Sequence, residues 1–329
     1  MKPFSAGTTS LEQALLEQAL QYQQNGNAAQ AESLYRQLVG MKSRQPAVYI
    51  RYAELLQETG RIPQAIAICR QLVTLYPDMA EAHYQLATYY AGQDKAKEAL
   101  ERLQFAISLD SRYAEAHFLM GTLLKKSGRH MEAVESFKNV ISINPAVLEA
   151  YYNLGNTLAL IGRFDEAIAQ YRHLLALEAE HAPGAIEVKF NMGNALLAAG
   201  KTGEAIALFR EVLAARPDFA TAHVNLGNAL LAAKEYDQAI ASYRTALEFS
   251  PGQSEILLNL GTALKDKGDK QAAVDVYQQA IAANRNSREA RDNLGNLYLS
   301  LGEHQKGLEC IRKGSGFIRF QLAKGYAVL

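Results

Sequence analysis

A small residue recurs every 34 positions along nearly the whole chain, and this period constrains the fold more than any other feature of the sequence. One step, after Gly155, is 38 residues long, and the period then resumes. This first small column comprises Ala19, Ala53, Ala87, Gly121, Gly155, Gly193, Gly227, Gly261 and Gly295. A second small column follows it by twelve residues: Ala31, Ala65, Ala99, Ala133, Ala167, Ala205, Ala239, Ala273 and Gly307. Two columns in one register predict an array whose repeats pack on their neighbours, so function is expected on a repeated surface and not in a single cleft.

Each repeat predicts two short antiparallel helices. In residues 148–181 the apolar residues Tyr151, Leu154 and Leu158 follow helical spacing. Gly162 is expected to end the first helix in a left-handed conformation, and Asp165 is expected to cap the second. In two other repeats Asp94 and Lys234 replace that glycine, which predicts looser or differently shaped turns. Prolines after the second helices set the turn into the next repeat: Pro77, Pro145, Pro217 and Pro251.

The order of small residue, glycine, small residue, aromatic residue and proline, as in YNLGNTLALIGRFDEAIAQY, resembles the tetratricopeptide repeat (TPR) family. The resemblance extends over about residues 12–320, although the chain has no Trp and so lacks the family's usual Trp in the first helix. It implies an all-α fold, a right-handed α-solenoid (superhelix) of about nine helix-turn-helix repeats, with the first helices lining the concave face. The expected repeats are 12–45, 46–79, 80–113, 114–147, 148–181, 186–219, 220–253, 254–287 and 288–321.

The segments outside the period lead to separate expectations. Residues 1–11 are expected to form an N-terminal arm. The four extra residues at 182–185 predict either a second helix that is one turn longer in the fifth repeat, or simply a longer loop. The apolar C-terminal tail, 322–329, is expected to cover the last repeat, or else to contact the groove of a second copy or another domain.

Composition excludes several classes of partner. Lys and Arg number 34 and Asp and Glu number 34, so the formal net charge is zero. We therefore expect neither nucleic acid nor an anionic membrane as a partner. The start of the chain has no apolar core of a signal peptide, which favours a cytoplasmic location, and Cys69 and Cys310 are expected to be reduced thiols.

No pattern typical of catalysis or of metal binding is present. His83, His117 and His223 share one helical position in different repeats, so they are spaced too widely to hold one zinc ion. We expect no cofactor, no metal and no enzymatic activity.

Asparagines mark the candidate binding surface. Five consecutive repeats place Asn two residues before the first small column, and a second Asn often follows one helical turn later on the same face. The candidate residues are Asn153, Asn156, Asn191, Asn194, Asn225, Asn228, Asn259, Asn293 and Asn296. An amide side chain can pair with both N–H and C=O of an extended peptide. The row resembles the asparagine ladder of O-linked N-acetylglucosamine transferase; the alternative is that each Asn bonds a neighbouring helix.

An apolar stripe runs beside the asparagines, and its aromatic members Tyr84, Phe118, Tyr152 and Phe190 are further candidates for peptide binding. They either face the groove or pack between repeats. Glutamates near the starts of the first helices either offset the helix dipoles or select basic guests: Glu81, Glu115, Glu149, Glu187, Glu255 and Glu289.

The sequence therefore predicts a scaffold that binds an extended peptide or protein segment in the concave groove of the repeats. One alternative is a substrate-presenting module of a larger enzyme whose catalytic domain is absent here. Another is a self-assembling structural scaffold that associates through its C-terminal tail.

Overall fold

The computed structural model describes residues 6–177 and 184–314, and the strand residues 318–319 and 327–328, with side chains described for 11–177 and 184–314. The longer helix considered for the fifth repeat would fall on residues 178–183, outside the described part of the chain. The contacts considered for tail residues 322–329 concern side chains that are likewise not described.

Within the described residues the chain forms eighteen helices and one short pair of strands, which confirms a helical repeat fold. Within residues 6–177 and within residues 185–314, consecutive helices are joined by short connections. The helices are α1 (Ala6–Gln24), α2 (Ala28–Gly40), α3 (Pro46–Glu58), α4 (Ile62–Leu75), α5 (Ala80–Gly92), α6 (Ala96–Leu109), α7 (Ala114–Lys126), α8 (His130–Ile143), α9 (Leu148–Leu160), α10 (Phe164–Leu177), α11 (Ala185–Ala198), α12 (Thr202–Ala215), α13 (Ala220–Ala232), α14 (Tyr236–Phe249), α15 (Ser254–Lys267), α16 (Lys270–Ala283), α17 (Arg288–Ser300) and α18 (His304–Gly314).

Two compact units divide the chain. Unit 1 is Met1–Ile161 and contains α1 to α9; unit 2 is Gly162–Leu329 and contains α10 to α18. In unit 2, β1 (Ile318–Arg319) pairs antiparallel with β2 (Ala327–Val328), and Ile318 lies opposite Val328.

The two ends of the array differ from the sequence-based expectation. The first helix begins at Ala6, so residues 6–11 belong to α1 and not to an arm. The buried face of this helix is formed later, by Leu16 and Ala19, so apolar periodicity does not mark where the helix starts. At the other end α18 stops at Gly314, and β1 lies inside the range predicted for the ninth repeat.

The glycines of the first small column allow the two helices of a repeat to approach closely. A Cβ atom built on Gly227 would lie 2.6 Å from the ring of Tyr243, sixteen residues later on the second helix. Gly193 stands in the same relation to Phe209, at 2.7 Å. Tyr243 and Phe209 are fully buried, so ring and glycine form one packing unit in each repeat.

The turn between the helices has the same left-handed backbone in most repeats. Gly162 has φ +76°, as predicted. The expectation of differently shaped turns at Asp94 and Lys234 is wrong, because these residues adopt the same conformation, with φ 55° and 63°. The predicted cap at Asp165 is also wrong: α10 begins at Phe164, which places Asp165 in the first turn of the helix.

On four first helices a polar side chain bonds to a carbonyl oxygen of the preceding loop. The ring Nε2 of His83 lies 2.8 Å from the Pro77 carbonyl oxygen, and the Nε2 of His223 lies 2.8 Å from that of Pro217. A carbonyl oxygen only accepts, so Nε2–H is the donor. Tyr49 does the same with its hydroxyl, which donates to Ser43 O at 3.1 Å. These bonds tie α3, α5, α7 and α13 to the connection from the preceding second helix.

Candidate functional site

The first helices of neighbouring repeats contact one another and form a face in each unit. In unit 2, α11 contacts α13 and α13 contacts α15; in unit 1, α5 contacts α7 and α7 contacts α9. The candidate asparagines lie on these first helices, two of them on α9 in unit 1 and seven on α11, α13, α15 and α17 in unit 2. All are partly buried except Asn296, which is exposed.

Amide pairs join successive repeats of unit 2. Asn225 Nδ2 donates to Asn194 Oδ1 at 2.7 Å, from α13 to α11. One repeat later, Asn259 Nδ2 donates to Asn228 Oδ1 at 3.3 Å, from α15 to α13. We call these four residues the amide row. The row thus contributes to repeat packing, which is the alternative that the sequence left open.

A buried tyrosine fixes the second pair. The Tyr243 hydroxyl donates to Asn228 Oδ1 at 2.7 Å, so this oxygen accepts two hydrogen bonds. Burial raises the pKa of Tyr243, which keeps the hydroxyl protonated and able to donate. With its Oδ1 filled, Asn228 has only Nδ2 left for bonding.

Pairing leaves a defined set of polar atoms available. Among the described residues, the Oδ1 atoms of Asn225 and Asn259 and the Nδ2 atoms of Asn194 and Asn228 have no hydrogen-bond partner. None of the four belongs to the buried unpaired polar atoms of the described residues, so all four reach solvent. The amide row therefore presents two acceptors and two donors in fixed orientations.

The amides outside the row have other surroundings. Asn153 Oδ1 accepts from Lys125 Nζ at 2.6 Å, and its Nδ2 donates to Glu149 O at 2.9 Å, within unit 1. Burial lowers the pKa of Lys125. Asn156 and Asn191 also have partners. Asn293 and Asn296 lie on α17. The preceding first helix, α15, has Thr262 at the position of the second Asn, so the Asn–Asn pairing does not recur between α17 and α15.

Three of the four aromatic candidates pack against other aromatic rings, and all four remain partly exposed. Phe190 contacts Phe209 of α12, with ring centroids 6.1 Å apart, and Phe219, directly before α13, at 4.8 Å. Tyr84 likewise contacts Tyr113 at 5.0 Å. Phe118 lies edge-on to a buried ring of α8, and Tyr152 is also partly buried. These side chains therefore combine packing with a partly accessible edge.

The glutamates of the first helices are exposed. Glu187 pairs with Arg216 at 2.6 Å. Among the described residues, the other five carboxylates make no ion pair. All six glutamates lie in the first turn of their helices, which are α5, α7, α9, α11, α15 and α17. A carboxylate in this position interacts favourably with the helix dipole.

Sequence reasoning missed the role of Tyr243. Tyr243 follows Asn228 by 15 residues, a spacing between the first and second helix of one repeat that could have indicated the contact. Over the described ranges, no three His, Cys, Asp or Glu side chains are grouped so that they could hold a metal ion. Both cysteines are free thiols, and none of the described helices has the length and hydropathy to span a bilayer.

Four family models, each described as a tetratricopeptide repeat, match the chain. They match residues 190–254, residues 146–218, residues 22–88 with 230–292, and residues 114–147. No curated protein matches the sequence.

Solved structures with a similar fold include the C-terminal part of a TPR repeat-containing protein from Cytophaga hutchinsonii. It has a TM-score of 0.61 and 18% identity, with 74% of this chain and 99% of that chain covered. PilW, a type IV pilus biogenesis factor, has a TM-score of 0.54 and 24% identity, with 64% and 96% covered. MamA has a TM-score of 0.47 and 26% identity, with 50% and 96% covered.

Proposed function

Because this chain belongs to the tetratricopeptide repeat family, we propose that it acts as a protein-interaction scaffold that binds an extended peptide segment along the first helices of unit 2. The observation that carries this proposal is the amide row, with its two available acceptors and two available donors. An extended peptide edge offers N–H and C=O groups in alternation, which is the complementary set.

Preorganisation supports binding by these amides. Each side chain of the row is held by a hydrogen bond to an adjacent repeat, and Asn228 is held additionally by Tyr243. A guest therefore does not have to order these side chains, and this lowers the entropic cost of association. Main-chain recognition also tolerates different guest sequences, as expected of a scaffold.

The proposal is tested by panning a random-peptide display library on the full chain and measuring affinity for a selected, labelled peptide by fluorescence anisotropy. Substitution of Asn194, Asn225, Asn228 and Asn259 by Ala should weaken binding at least tenfold. Circular dichroism and the melting temperature report whether the variant is folded at the temperature of the assay.

The control variant is Gln271→Ala with Gln279→Ala, which removes two exposed amides from α16 in the same unit. This variant should bind as the wild type does. Equal affinity of the folded asparagine variant and the wild type would contradict the proposal.

A further inference from the structure

We propose that the amide row takes its guest edge-on, so that the guest's side chains alternate between two flanking apolar rows and must be uncharged on both sides. This inference rests on the proposed function and names the class of segment that the site accepts.

Two helices of unit 2 carry the same three-part face. On α13, Val224, Asn228 and Leu231 follow the spacing i, i+4, i+7, which aligns them along one side of the helix. The corresponding residues on α11 are Phe190, Asn194 and Leu197. All six side chains are partly exposed. Across the two helices, Phe190 and Val224 form one apolar row, Leu197 and Leu231 form the other, and the amides lie between them.

The geometry of an extended chain determines which of its groups contact the amides and which contact the apolar rows. Main-chain N–H and C=O groups point sideways within the plane of a sheet, while side chains stand perpendicular to that plane and alternate in direction. If the main-chain edge bonds the amide row, odd side chains lie over one apolar row and even side chains over the other. A guest that binds here presents two apolar sets of side chains, one on each side.

The ionic side chains near the two apolar rows already have partners, which favours an uncharged guest. Two ionic side chains of α11 are already paired within the unit, Glu187 with Arg216 at 2.6 Å and Lys189 with Glu211 at 2.9 Å. The second apolar row ends on α15, where the next position is Lys265, which pairs with Asp266 at 3.3 Å. A guest charge placed over Leu197 or Leu231 would lose water without gaining a partner there.

The length of the guest follows from helix spacing. Packed helices lie about 8–10 Å apart, so the path from α11 over α13 to α15 is roughly 16–20 Å. An extended chain advances about 3.3 Å per residue, so this path accommodates roughly five or six residues.

The test uses labelled synthetic peptides with a six-residue core of valine and alanine between glycine–serine linkers, measured by fluorescence anisotropy with the full chain. The neutral core should bind. Lysine or glutamate substituted at odd core positions, or at even ones, should weaken binding at least tenfold in either case. This part of the test uses the unchanged protein, so no effect on protein folding can alter its result.

On the protein side, Leu197→Ser with Leu231→Ser should weaken binding of the neutral core at least fivefold. Leu301→Ser, which removes an exposed apolar side chain elsewhere in unit 2, should not. Tolerance of charge at one set of alternate positions, with no effect of the Leu197 and Leu231 changes, would overturn the two-row inference. Binding by none of the peptides, including those selected from the library, would contradict the proposed function itself.

Discussion

In four of the described repeats, the close approach of the two helices depends on a glycine that faces an aromatic ring. Gly227 and Tyr243 illustrate it, because the ring occupies the volume that a Cβ atom would need. The same ring carries the hydroxyl that fixes Asn228. At the residue scale, then, packing of a repeat and orientation of the candidate site depend on the same tyrosine.

Gly227→Ala is expected to destabilise the protein by about 1–3 kcal/mol, since overpacking a buried contact forces the ring to move. The measurement is the urea-unfolding midpoint. Gly203→Ala is the matched control: Gly203 is exposed in α12 with nothing within 4 Å of an added Cβ, so the change should stabilise by about 0.4–1 kcal/mol. Similar destabilisation by both changes would refute the packing explanation.

Lys234→Gly is expected to stabilise the protein by up to about 1 kcal/mol, because Lys234 adopts a left-handed conformation that costs an L-residue about that much. Thermal unfolding measures the effect. Lys201→Gly, at φ −83°, serves as the control and should bring no gain in stability. A lower melting temperature for Lys234→Gly would show that the turn is not strained.

At the scale of the elements, an ion pair joins the first two repeats of unit 1. Arg61 donates to Glu32 through two hydrogen bonds of 2.7 Å, from the start of α4 to α2, and Arg36 adds a third. The Arg61 hydrogen bonds hold the pKa of the Glu32 carboxyl below its ordinary value of 4.5. Glu32 is mostly shielded from solvent, so this pair is expected to contribute more than a surface ion pair does.

The pair predicts an acid-dependent loss of stability. The folded-state pKa of Glu32 is lower than the unfolded one, so its contribution is complete above the unfolded pKa and disappears as pH falls through the folded pKa. The free energy of unfolding, measured with urea from pH 7 to pH 2, should therefore fall less steeply with decreasing pH for Glu32→Gln than for the wild type. Glu101→Gln, an exposed glutamate, should leave the decline unchanged; an identical slope for both variants would contradict the role of the pair.

At the scale of the whole molecule, the sequence predicted the repeat fold because small residues and glycines recur in a fixed register. For the same reason the left-handed turn at Gly162 and the positions of the prolines after the second helices were predicted correctly. The turn conformation at Asp94 and Lys234 was predicted wrongly, because packing of the two helices imposes the left-handed conformation even on residues that disfavour it. The pairing of Asn225 with Asn194 depends on distances between repeats, which residue spacing alone does not give.

The most direct test of main-chain recognition is to remove the guest's main-chain donors without changing its side chains. Because one edge of an extended peptide would face the amide row, N-methylation at one set of alternate residues of the selected peptide should abolish measurable binding. N-methylation at the other set should leave affinity within about threefold of that of the unmodified peptide. Equal affinity of both N-methylated peptides and the unmodified one would show that the amide row does not bind the guest's main chain.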